Sequence, residues 1–147
     1  MLKYSLFFYA NLFLLQFHSF VATSQNIEVL INGIKSNNGQ IVIGVFKNNE
    51  SFQDEIPFLS KKFAKKNISN GEMTVTFNLA AGVYGLTLLD DEDNDSEMNY
   101  SFFGLPEEGF GFSNYYFTGF IKPKFDEFKF EVKNNQKQKI IIKVRYI

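Results

Sequence analysis

Apolar and polar residues alternate strictly through Met73-Thr74-Val75-Thr76-Phe77-Asn78-Leu79, placing Met73, Val75, Phe77 and Leu79 on one face of a strand. Ile27-Glu28-Val29-Leu30-Ile31 alternates around Glu28 and ends at Asn32-Gly33. Gln40 to Phe46 is instead almost continuously apolar and rich in β-branched residues, the pattern of a buried strand. Asn37-Asn38-Gly39 is a turn signal between these two runs, so the local pattern predicts a first hairpin over Ile27 to Phe46. Lys47 to Glu55 is polar and predicts a loop or a single helical turn, and Pro57 argues against a strand there.

Lys61-Lys62-Phe63-Ala64-Lys65-Lys66 reads either as a basic patch for an anionic surface or, more simply, as an edge strand guarded by lysines. After Ala80-Ala81-Gly82, the strand Val83 to Leu89 delivers the chain directly into an acidic loop. Tyr115 to Ile121 is aromatic and predicted strand-like. Phe128 to Val132 alternates again, and Gln138 to Ile147 closes the chain. About seven short strands separated by turns predict an all-β fold, an antiparallel β-sandwich of immunoglobulin-like or prealbumin-like type.

Composition narrows the setting. Met1-Leu2-Lys3 followed by a mostly apolar run to Phe20 and by Ala22-Thr23-Ser24 predicts a signal peptide over residues 1–24, with residues 25–147 forming one domain. Nothing after it is long and apolar enough to span a bilayer. Removing it takes away Lys3 and no acid, so the net charge moves from −1 to −2 and offers no general attraction to nucleic acid. The expected location is exported: periplasm, cell surface or medium. Cys is absent, and the only His is His18, within the signal segment. The mature chain therefore lacks the usual ligands for zinc, haem and copper, and it cannot run Ser-His-Asp or Cys-His catalysis.

The most distinctive chemistry is acidic. From Asn67 to Ile121 there is no Lys or Arg, yet nine of the sixteen acidic residues fall there, six of them within Asp90-Asp91-Glu92-Asp93-Asn94-Asp95-Ser96-Glu97. So many like charges must either splay into water or gather around a cation. Asp91, Asp93 and Asp95 stand at alternating positions, with Glu97 and Asn99 following, as in the opening of a calcium loop whose oxygens converge on one hard ion. The match is incomplete. Ser96 stands where glycine permits the bend, and Phe102 stands where a bidentate Glu closes the shell, which leaves Glu107 and Glu108 as additional ligands. A calcium site and a solvated acidic hairpin tip both fit the pattern.

Nine of the twenty-one residues from Tyr100 to Phe120 are aromatic, either to plug one end of the sandwich or to form a sugar-stacking platform. Two runs, Asp91-Glu92-Asp93-Asn94-Asp95 and Gly104-Leu105-Pro106-Glu107-Glu108-Gly109-Phe110-Gly111-Phe112-Ser113-Asn114, resemble the bacterial secreted family named domain of unknown function 2141. Gly82-Val83-Tyr84 and Pro123-Lys124-Phe125-Asp126 extend the likeness over nearly the whole mature chain. Members of that family usually carry His-Asp at the loop's start, Asn-Gly inside it and a closing Asp; here the corresponding residues are Asp90-Asp91, Asp95-Ser96 and Asn99. The resemblance implies an exported β-sandwich of the kind found in Bacteroidota and other Gram-negative bacteria, and it implies no activity.

The functional expectation is an exported, non-enzymatic module that holds calcium in the loop Asp91–Asn99 and an unknown protein or glycan partner beside it. The alternatives are a carbohydrate-binding domain using Tyr115 or Tyr116, and a glycosidase pairing Asp91 or Asp93 with Glu107.

Overall fold

The computed structural model describes residues 24–66 and 68–147. Residues 1–23 of the expected signal segment lie outside the described residues. Eight strands are described: β1 (Ser24–Asn32), β2 (Gln40–Phe46), β3 (Leu59–Ala64), β4 (Glu72–Ala80), β5 (Gly82–Asp91), β6 (Gly109–Phe112), β7 (Lys129–Val132) and β8 (Gln138–Lys143). A short helix α1 (Asn49–Gln53) and a 3₁₀ turn (Phe125–Glu127) complete the elements.

The strands form two sheets, one ordered β4-β1-β8 and the other β3-β2-β5-β6 with β7 also on β5, as expected for a β-sandwich. Every pairing is antiparallel except β1 with β8, which run parallel. Gly85 pairs with Phe46 of β2 on one side and Lys129 of β7 on the other, so β6 and β7 lie end to end along the same edge of β5. Buried Ser113 bridges their seam: its hydroxyl donates to Phe128 O at 2.6 Å and accepts from Leu86 N at 2.9 Å.

The main core is aliphatic. Ile27, Val29 and Ile31 of β1, Val75 and Leu79 of β4, Ile140 and Ile142 of β8 face Ile41, Ile43, Val45, Leu86 and Leu88 across the sandwich. A second, aromatic core of Phe46, Phe52, Phe112, Phe125 and Phe128 covers the outer face of the larger sheet. This explains the unbroken apolar run of β2, which is buried from Ile41 to Phe46 because both of its faces are covered. Gly85 is part of that arrangement, since a Cβ there would lie 2.4 Å from the Phe128 ring.

Two local expectations fail. Ile27 to Phe46 is not a hairpin: β1 and β2 belong to different sheets, and the intervening segment crosses between them. The turn residues are real, with Gly33 and Gly39 both at positive φ (84° and 76°), but a turn signal does not specify which strand a chain will pair with. Tyr115 to Ile121 is not a strand either. The rings of Tyr115 and Phe117 pack down onto the aromatic core, and Arg145 fixes the backbone by donating to Phe117 O (3.0 Å) and Gly119 O (2.8 Å). The lysine-guarded segment is indeed an edge strand, β3.

Candidate metal centre

The acidic loop leaves the end of β5 and folds back over the outer face of the larger sheet. Successive strand residues point to opposite faces, so Asp90 turns into the sandwich and Asp91 turns outward beneath the loop. Both are fully buried. Asp91 Oδ2 accepts from Gln40 Nε2 at 2.6 Å and from Ser96 N at 3.1 Å. Asp91 Oδ1 is also buried and has no hydrogen-bond partner among the described residues.

The loop is wound by its own carboxylates. Asp93 Oδ1 accepts from Asp95 N (3.1 Å), Asp93 Oδ2 from Asn99 Nδ2 (3.0 Å), and Asp95 Oδ1 from Glu97 N (2.8 Å). Asn94 and Ser96 take the left-handed conformation, with φ of 67° and 71°. Ser96 thus makes the bend for which a calcium loop ordinarily recruits glycine. One carboxylate oxygen from each of Asp91, Asp93 and Asp95 lies within 4.8 Å of the others, a set that could hold a metal ion. The backbone N–H of Asp95 is the main cause holding the Asp93 carboxyl below its ordinary value.

Glu108 supports the loop from below. It is buried; its Oε1 accepts from Glu92 N (3.0 Å) and its Oε2 from Asn99 N (3.3 Å). Burial pushes its carboxyl up, the two backbone donors pull it down, and the charges of Asp93 and Asp91 push it up again. Gly39 closes the other side: a Cβ there would fall 1.9 Å from Asp91 O.

The structure therefore brings together Asp91, Asp93 and Asp95, with Asn99 bonded to Asp93. Glu97 contributes its backbone N–H and keeps its side chain exposed. Glu107 is exposed too, and its N–H pairs with Asn99 O at 2.9 Å. Gln40, which orients Asp91 together with Ser96, carried no sequence signal of its own; its role follows from the β2–β5 register, in which Gln40 opposes Asp91.

Beyond Asn99 the chain forms a narrow excursion whose tip, Phe102 and Phe103, is 98% and 84% exposed, so these two rings are not part of the expected plug. The plug consists of Phe110, Phe112, Tyr115 and Phe117. Tyr115 is committed to it, with its ring in the cluster and its hydroxyl donating to Glu127 Oε1 at 2.9 Å. Tyr116 is half-exposed beneath the Lys143 ammonium, 4.7 Å from the ring centre. A cleft of about 350 Å³ lies between the loop and the aromatic core, with Met98, Tyr100 and Leu105 on one wall and Phe52, Phe112 and Phe120 on the other. No helix among the described residues is long and apolar enough to cross a membrane.

A family model described as an uncharacterized protein conserved in bacteria matches residues 29–140. Neither a curated protein nor a solved structure matches the chain.

Proposed function

This chain belongs to that bacterial family, DUF2141, and from this premise we propose that it is an exported, non-catalytic β-sandwich module that binds calcium in the loop Asp91–Asn99. The observation that carries the reading is Asp91. A carboxylate sealed from solvent with one oxygen unpartnered is costly, because buried polar groups otherwise find partners. A cation shared with Asp93 and Asp95 supplies the missing partner and relieves the repulsion among the three.

The donor chemistry favours a hard ion. Residues 25–147 contain no His or Cys, and the loop offers carboxylate, amide and backbone oxygens. Calcium takes six to eight such ligands in a flexible geometry, whereas magnesium demands a near-ideal octahedron. Glu97 and Glu107, exposed at the loop's rim, are free to complete the shell. A bound ion would stiffen the wall that Met98 and Tyr100 give to the cleft, and this is where a partner or ligand would sit. Tyr116, with its exposed ring, is the better placed of the two tyrosines for a glycan.

Thermal melting in calcium and in chelator tests the reading. Binding to the folded state alone, at a hundred times Kd, adds about 2.7 kcal/mol. The expected result is a melting temperature several degrees higher in millimolar calcium, with a smaller effect from magnesium. Identical curves in both conditions would remove the proposal.

A further inference from the structure

Behind the loop lies a second set of ionisable side chains that the cation does not use. Asp90 faces the sandwich interior in line with Leu86 and Leu88. Lys65, one residue past the end of β3, follows the inward parity of Phe63. Strand β2 runs between them, with Ile41 in register with both Phe63 and Asp90. The Lys65 ammonium meets Asp90 Oδ1, and both side chains are completely screened from solvent. The Tyr146 hydroxyl donates to Asp90 Oδ2 and accepts from Lys35 N at 3.1 Å.

An ammonium has three donors and no acceptor. Lys65 Nζ and Asp90 Oδ1 have no partner beyond each other among the described residues. As an ion pair, the lysine would hold two orphaned donors in a dry interior, an arrangement folded proteins avoid. An amide in its place has a single N–H, and its carbonyl oxygen already receives the Tyr146 hydroxyl.

We propose that Lys65 and Asp90 are joined by an intramolecular isopeptide bond between Nζ and Cγ. One proton passes within the pair, from the ammonium to the carboxylate, giving a neutral amine and a carboxylic acid. The nitrogen lone pair adds to Cγ, and the charge that develops on Oδ2 is stabilised by the Tyr146 hydroxyl, which acts as an oxyanion donor. The Cγ–Oδ1 bond then breaks. Oδ1 leaves as water, carrying the carboxyl proton and one proton from nitrogen. Nothing is oxidised or reduced, and no co-reactant is consumed. The link ties edge strand β3 to β5 across β2, and it gives a chain without cysteine a covalent constraint of the kind that disulfides give other exported domains. It does not depend on the cation.

Intact mass spectrometry of the purified, denatured protein, followed by tryptic mapping, decides the matter. The expected mass is lower than that of the unmodified chain by one water, with a branched peptide joining the segments that contain Lys65 and Asp90. Lys65→Met restores the unmodified mass for its sequence, and Tyr146→Phe gives a mixture of linked and unlinked chains. The wild-type peptide map stands alone if either variant fails to fold. An unreduced wild-type mass, or a water loss mapped to any other position, overturns the proposal.

Discussion

Asp90 and Asp91 are neighbours in the chain, equally buried and chemically identical, yet their surroundings differ in one respect. On the inner face of the sheet Asp90 meets a lysine and a tyrosine supplied by the protein itself. On the outer face Asp91 meets an amide, a backbone N–H and two more carboxylates, and one of its oxygens is left without a partner. Strand parity alone separates the two environments. The lesson is that a buried acid has to be compensated locally. Where the fold itself provides the partner the site is structural, and where it does not the site is open to an ion.

The largest effect is expected on the inner side. Lys65→Met should destabilise the fold by about 3–5 kcal/mol in guanidinium unfolding, because it both removes the link to Asp90 and strands a buried acid. Adding Asp90→Leu should return part of that loss, and no recovery would show that the charge is not the cause. Gly39→Ala comes next. Its Cβ would overlap the Asp91 backbone, and its φ of 76° already disfavours a side chain. A cost of about 1–3 kcal/mol is expected for such overpacking, together with weakened calcium binding measured on the same sample.

Ser96→Gly works in the opposite direction. Releasing the left-handed strain at φ 71° should raise stability by about 1 kcal/mol in chelator, read from denaturant midpoints at constant slope. The smallest effect concerns the aromatic plug. The backbone N–H of Lys124 and then the Tyr115 hydroxyl hold the Glu127 carboxyl below its ordinary 4.5. A lowered folded-state value means that this contribution is present above pH 4.5 and is lost as the pH falls through the folded value. Glu127→Gln should therefore lower the neutral plateau of the pH–stability curve slightly and leave its acid end nearly unchanged, so that the acid limb becomes shallower.

The sequence disclosed whatever depends on local periodicity. The alternation of β4, the buried run of β2, the lysine-edged β3 and the spacing of Asp91, Asp93 and Asp95 were all visible in it. Partner choice between distant strands was not: the parallel pairing of β1 with β8 and the separation of β1 from β2 depend on contacts across the whole chain. The roles of Glu108 and Lys65 were hidden for the same reason, since each is defined by a group brought near only by folding. The different fates of Asp90 and Asp91 did have a signal, because extending the inward parity of Leu86 and Leu88 by one step reaches Asp90.

Calorimetric titration of calcium into the wild-type protein and Asp91→Asn, both first stripped with chelator, is the most direct measurement of whether the uncompensated acid recruits an ion. The account predicts one saturable calcium per wild-type chain and an affinity at least about tenfold weaker in the variant, equivalent to about 1.4 kcal/mol. No saturable binding to wild type at millimolar calcium, or equal affinity in the two proteins, would contradict it.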